Sequence, residues 1–198
     1  MTKSPYFPID KVVCVWYNVY IKGKGVHTMK TIRLFVDMDG TIAKFYHHKQ
    51  YLEKMHEQGY FANLKPYAIL KAIKQLASKS NIEVFVLSAC VFSPYCEPEK
   101  LAWLDKYLPE IDDDHRILVN VGENKADYID YDVDTINILL DDYSRNLIEW
   151  EQYDVNNIGI KFINGINDKT NKQYKYKVRN GNQLEKLLSR IALYGIGE

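Results

Sequence analysis

An α/β fold with a parallel sheet covered by helices is predicted by two observations. From residue 31 onward, five short runs of Val, Ile, Leu and Phe are apolar almost without interruption, as strands buried on both faces must be. Segments with helical apolar spacing lie among them, and repeated strand–helix units imply parallel strands with any site at their carboxyl ends.

The first run, "TIRLFV" (31–36), ends directly before two aspartates in "DMDGT" (37–41). A helical pattern follows over Tyr67–Ala77, with Ile69, Leu70, Ile73 and Leu76 on one face, and leads to "IEVFVLS" (82–88). Pro98–Leu108 repeats the pattern with Leu101, Leu104, Tyr107 and Leu108, before "RILVN" (116–120). The strands "INILL" (136–140) and "IGIKFI" (158–163) come next, and Asn182–Tyr194 closes the chain with Leu184, Leu187, Leu188 and Ile191 on one face.

Two segments fall outside this rhythm. Residues 1–28 precede Met29, the expected start of the domain, and read either as an upstream extension or as an added edge strand. Residues 164–181, "NGINDKTNKQYKYKVRNG", carry turn signals at both ends and a Tyr/Lys alternation, which predicts a solvated hairpin or excursion. A basic-aromatic nucleic-acid patch is the other reading of that alternation.

The 198 residues suffice for one well-buried core, so a single domain over 29–198 is expected. Basic and acidic residues balance at 26 each, leaving no long-range field to gather a polynucleotide or an anionic membrane. No apolar stretch approaches the roughly 20 residues that span a bilayer. Three cysteines, Cys14, Cys90 and Cys96, are odd in number and lack zinc-site spacing, which fits free thiols and a cytoplasmic location.

The chemistry is suggested by what ends the strands. Asp37, Asp39, Gly40 and Thr41 follow the first, Ser88 ends the second, Lys125 follows the third, and Asp141 and Asp142 end the fourth. Hydrolysis of a phosphate monoester needs a nucleophile, an acid for the leaving oxygen and positive charge around the phosphoryl group. Asp37 is placed to attack and form an aspartyl-phosphate, with Asp39 as general acid and then base. Gly40 allows the tight turn that brings backbone N–H groups, including that of Thr41, towards the phosphate. Converging carboxylates call for a hard cation such as Mg²⁺, for which Asp141 and Asp142 complete the anchor. Ser88 and Lys125 then hold the phosphoryl group as hydrogen-bond donor and point charge. Taken singly, each feature also has a plainer reading. Asp-x-Asp-Gly can be only a turn, Ser88 a strand-end hydroxyl, Lys125 a solvated residue and Asp141-Asp142 a helix N-cap pair.

In "DMDGT", "VLSA", the Lys of "GENKADY" and "LLDDYSRN", the chain resembles the haloacid dehalogenase (HAD) superfamily of phosphohydrolases. Within it, "DMDGTIAKF", "GYFANLKP" and "SPYCEPEKLAWLDKYLPEI" resemble the cytosolic type C 5′(3′)-deoxyribonucleotidases and their bacterial and phage relatives. The resemblance implies a HAD-like Rossmannoid three-layer fold with a helical cap inserted after the first strand. It also implies Asp37 as nucleophile and Asp39 as acid/base; Asp37, the Asp39 backbone carbonyl, Asp141 and Asp142 as Mg²⁺ ligands; and Ser88, the Ala89 amide and Lys125 as phosphate ligands. The second aspartate favours a phosphatase, because an alkoxide leaving group needs an acid that a halide does not. The cap is minimal, at about residues 45–64, with room for one short helix over about 48–58. Phe45, Tyr46, Tyr60 and Phe61 read either as a wall that stacks on a base or as the cap's own core. His47 and His48 read as solvated residues at the start of that helix. The expected partner is a small phosphorylated metabolite, first a deoxynucleoside monophosphate. Another small ester such as a sugar phosphate is the second enzyme reading, and a non-catalytic phosphate- or nucleotide-binding module the reading from another class.

Overall fold

A computed structural model describes residues 31–45, 49–166 and 174–194. The readings for residues 1–28, Tyr46, His47 and His48 lie outside them. Six parallel strands form one sheet in the order β3-β2-β1-β4-β5-β6: β1 Thr31–Val36, β2 Ile82–Cys90, β3 Arg116–Asn120, β4 Thr135–Asp141, β5 Asn157–Phe162 and β6 Tyr176–Val178. The helices are α1 Lys49–Lys54, α2 Leu70–Ala77, α3 Cys96–Tyr107, α4 Ser144–Tyr153 and α5 Gly181–Tyr194.

Strand alternation divides the core into two layers. On one face Ile32, Leu34 and Val36 of β1, with Ile136, Ile138 and Leu140 of β4, pack on Leu70, Ile73 and Leu76 of α2, Trp103 and Leu104 of α3, and Leu184, Leu188 and Ile191 of α5. On the other face Phe35, Leu87 and Leu139 meet Leu147 and Trp150 of α4, together with Val119 and Ala126. The result is the three-layer α/β fold, with β1 near the middle of the sheet.

Trp150 ties the second layer together. It is fully buried, donates Nε1–H to the Asn137 carbonyl at 3.3 Å, and sets its ring edge-on to Phe35 at 5.3 Å between centroids. Its carbonyl accepts from Asn157 Nδ2 at 2.9 Å. Trp150→Ala is expected to cost about 3–5 kcal/mol of stability. A urea titration checks this: the midpoint should fall while the slope holds, and a loss below about 1 kcal/mol would show that the site collapses around the missing ring.

Two expectations are corrected. Within the segment 164–181, residues 176–178 are not an arm of a solvated hairpin but the edge strand β6, parallel to β5 in the register Ile160↔Tyr176 and Phe162↔Val178, with Val178 buried. Lys177, which pairs with Lys161, and buried Val178 account for the alternation as an edge strand with one covered face. The cap helix is also shorter than 48–58. After Lys54 the chain turns with three-residue bonds, Glu57 N–H to the Lys54 carbonyl and Tyr60 N–H to that of Glu57, and Gly59 takes a φ of +88° that ends helical geometry.

Candidate active site

In the strand order, β1 lies between β2 and β4, so the chain leaves β1 in one direction and returns on its other side. A crevice at the carboxyl ends follows from that reversal. Val36 pairs with Leu140, so Asp37 and Asp141 stand side by side on adjacent strands, and the Asp37 N–H continues the ladder to the Leu140 carbonyl at 2.9 Å. Val36 also pairs with Val86, which puts Ser88 two residues farther along β2.

Asp37, Asp141 and Asp142 are buried and each offers a carboxylate oxygen within 4.8 Å of the others. Lys125, in a single 3₁₀ turn over Lys125–Tyr128, is buried with its Nζ 2.7 Å from both Asp37 Oδ1 and Asp141 Oδ2. Burial works against the Lys125 charge, but Asp141 and Asp37 more than offset it and hold the ammonium above the usual lysine range. Burial, with Asp141 and Asp39 adding to it, outweighs Lys125 and Lys100 at Asp37, whose carboxyl is pushed up to about 7. A surplus of negative charge therefore remains at a dry point after one lysine has been counted. An all-oxygen donor set with such a surplus fits a hard divalent cation.

The remaining bonds of these carboxylates fix their direction. Asp141 accepts from the Tyr143 N–H at 2.7 Å and from Asn146 Nδ2 at 2.8 Å. Asn164 Nδ2 bridges Asp142 Oδ2 at 2.8 Å and the Gly40 carbonyl at 3.0 Å, linking the first and fourth strand ends. Lys161, buried near the end of β5, donates to the Asp142 carbonyl and to Ser144 Oγ, and burial pulls its ammonium below the usual lysine range.

The turn after β1 is wound around the Met38 carbonyl, which accepts from Thr41, Ile42 and Ala43, while the Gly40 N–H donates to the Ala43 carbonyl at 2.8 Å. The N–H groups of Gly40 and Thr41 are thus engaged inside the turn, and Thr41 Oγ1 accepts from the Asp142 N–H at 3.1 Å. Gly40 sits at φ +84°, where a Cβ would fall 2.6 Å from the Asp142 carboxylate. That closeness, as much as the left-handed backbone, requires glycine.

On the other side, Asp39 Oδ2 pairs with Lys100 Nζ at 2.7 Å, while Asp39 Oδ1 is buried with no hydrogen-bond partner among the described residues. Lys100 is fully buried and also donates to Ser88 Oγ at 3.0 Å and to the Ala89 carbonyl at 2.6 Å. Burial opposes its charge, yet the Asp39 carboxylate chiefly overcomes this and holds the ammonium above its usual range. Phe45 and Phe61 are buried with Cys96, and Tyr60 meets both rings edge-on, so these aromatics form the cap's core here and not an open wall. Glu99 pins that cap, accepting from the backbone N–H groups of Gly59, Phe61 at 3.0 Å and Ala62 at 3.3 Å. Trp103 Nε1 adds a bond to the Leu64 carbonyl at 2.7 Å.

Sequence reasoning missed Lys100, Glu99, Lys161 and Asn164. Two of them left a signal. Lys100 occupies an apolar-face position of α3, in the buried set Cys96, Lys100, Trp103 and Leu104. Lys161 is the one charged residue of β5, close to its carboxyl end.

A family model described as 5′ nucleotidase, deoxy (pyrimidine), cytosolic type C protein matches residues 50–191. The matched span contains Ser88, Lys125, Asp141 and Asp142 and begins after Asp37 and Asp39. The crystal structure of a phosphoserine phosphohydrolase-like protein from Francisella tularensis subsp. tularensis SCHU S4 superposes with a TM-score of 0.53 at 16% identity, over 81% of this chain and 100% of that one. It shares the fold. The HAD domain of the effector protein Lem4 from Legionella pneumophila gives a TM-score of 0.44 at 15% identity, over 83% of this chain and 97% of that one. No curated protein matches the chain.

Proposed function

The chain belongs to the 5′ nucleotidase, deoxy (pyrimidine), cytosolic type C family of HAD-fold phosphohydrolases, and on that premise we propose a Mg²⁺-dependent phosphomonoesterase that acts through an aspartyl-phosphate, with deoxynucleoside 5′-monophosphates as its first substrates. The observation that carries this reading is the convergence of three buried carboxylates and Lys125, with Asp39 beside them presenting an unpartnered oxygen.

Asp37 attacks phosphorus as the ester P–O bond breaks, and Asp39 gives its proton to the leaving oxygen. Asp39 then takes a proton from the water that opens the aspartyl-phosphate, which frees Asp37 and releases inorganic phosphate. Ser88, the Ala89 amide and Lys125 hold the phosphoryl oxygens; the Gly40 and Thr41 N–H groups, expected to join them, instead donate to the Ala43 and Met38 carbonyls and shape the turn beside them. Asp37, the Asp39 carbonyl, Asp141 and Asp142 would hold Mg²⁺. When bound, the ion neutralises the carboxylates and the phosphate charge that builds up. The catalytic unit is one domain from residue 29 with its cap at about 45–64, working in the cytosol. Among the described residues no helix is long and apolar enough to cross a membrane.

A second substrate reading has its own observation. Phe45 and Phe61 are 3% and 0% exposed, so a base finds no open ring face there, and a smaller ester such as a sugar phosphate needs none. Phosphate release from a panel of nucleoside, deoxynucleoside and sugar monophosphates, with Mg²⁺ or with a chelator, separates the two. Mg²⁺-dependent turnover selective for deoxynucleotides supports the nucleotidase, and turnover spread over sugar phosphates replaces it with the second reading. No turnover of any ester would leave a module that only binds phosphate.

Gly40→Ala is expected to raise the Mg²⁺ concentration needed for half-maximal activity and to cut kcat about 100-fold, since a displacement near 1 Å at reacting groups has that effect. The added methyl would press on the Asp142 carboxylate. A Mg²⁺ titration of activity beside wild type checks it, and an unchanged titration would remove Asp142 from the metal site.

A further inference from the structure

Cys90 and Cys96 stand at the two ends of the loop that leads from β2 into α3, the helix that carries Glu99 and Lys100. Cys90 is the last residue of β2, and its carbonyl is held by the Val121 N–H at 2.9 Å. Cys96 is the first residue of α3, buried in the cap cluster with Phe45 and Phe61, and Cys90 packs against the same cluster while remaining partly exposed. Both cysteines thus pack in one cluster, at the two ends of the short loop 91–95.

We propose that Cys90 and Cys96 form a dithiol that a peroxide closes to a disulfide, lowering turnover by displacing the first turns of α3. Cys90 is the more reachable sulfur. The hydrogen bond from Cys96 lowers its thiol below the usual range against the opposing effect of burial, with Lys100 nearby helping. The same bond, with burial, raises Cys96, which keeps its proton. The Cys90 thiolate attacks the peroxide, whose O–O bond breaks, leaving Cys90 as a sulfenic acid and releasing hydroxide. The Cys96 sulfur then displaces the sulfenic oxygen: the S–S bond forms, the S–O bond breaks, and the thiol proton leaves in water. Two thiols and one hydrogen peroxide give one disulfide and two waters. A thiol reductant reverses the change, as suits a transient bridge in a reducing compartment.

To bridge, the two sulfurs must close to a covalent bond of about 2 Å. Cys90 is fixed in the sheet, so the start of α3 must move. Glu99 and Lys100 lie within the next turn, one holding the cap amides and the other holding Asp39 and Ser88. The effect on turnover rests on the phosphatase reading, whereas bridge formation and cap loosening do not.

The test uses the full chain with Cys14→Ser, treated with hydrogen peroxide and then with or without dithiothreitol. Peptide mapping should find Cys90 joined to Cys96. Amide exchange at Gly59, Phe61 and Ala62 should speed up, and kcat/KM should fall about 10- to 100-fold and return on reduction. Cys90→Ser and Cys96→Ser should each abolish the bridge and the reversible loss. A peroxide product that stops at sulfinic acid, a bridge between chains, or a Cys90–Cys96 bridge with unchanged exchange and turnover would each overturn the proposal. If the reduced protein hydrolyses no ester, that failure belongs to the phosphatase reading, and mapping with amide exchange still decides the dithiol.

Discussion

Asp37→Asn should fold as the wild type does and release phosphate at least about 1,000-fold more slowly, the scale of loss when a nucleophile is removed from a unit that acts together. The amide keeps the size of the carboxyl, and its oxygen still accepts from Lys125, which retains its second partner in Asp141 at 2.7 Å. The backbone bond from Asp37 to the Leu140 carbonyl does not involve the side chain. Burial already drives this carboxyl up to about 7, so a neutral group costs the fold little here. What the amide lacks is the nucleophilic oxygen. Phosphate release measured with saturating Mg²⁺, alongside a thermal melt, checks both halves. A folded variant as active as wild type would refute an aspartyl-phosphate at this position.

The parts of this molecule that were legible in its sequence are those where one physical demand acts alone. Strands β1 and β3 end at the predicted residues, and β4 and β5 within one, because a strand buried on both faces has to be continuously apolar. The gathering of Asp37, Ser88, Lys125, Asp141 and Asp142 was also legible, since parallel strands bring their carboxyl ends to one edge. Where context decides, the sequence said less. The three residues of β6 are a strand only because β5 offers an edge, and the cap helix stops early because Gly59 and three-residue turn bonds replace its last turn. Asn164 looked like the start of a turn, yet its amide reaches back 124 residues to the Gly40 carbonyl and 22 residues to the Asp142 carboxylate, joining the two. Lys100 was hidden for a different reason. A lysine beside Glu99 reads as solvated surface until both sides of α3 are known to be covered, one by the sheet and the other by the cap.

Lys100→Met tests how much of the site depends on that buried lysine. Its Nζ holds Asp39 Oδ2, Ser88 Oγ and the Ala89 carbonyl, and no other cation among the described residues bonds to Asp39. Methionine fills a similar volume but leaves a largely buried carboxylate without its partner, a loss of about 3–5 kcal/mol for broken buried pairs. The expected result is a lower unfolding midpoint together with a fall in kcat of about 100-fold, because Asp39 and Ser88 both lose the group that orients them. Stability and orientation separate in the double variant Asp39→Asn/Lys100→Met. Removing both charges should recover most of the stability, since the cost of the single variant lies in the orphaned charge. It should recover none of the activity, because Asp39 supplies the proton. Lys100→Arg should fail to substitute: the site is 0% exposed, and a planar fork cannot place one donor between three oxygens as an ammonium does. Full activity in a destabilised Lys100→Met protein would make Lys100 a support of the fold alone, with Asp39 oriented by the substrate.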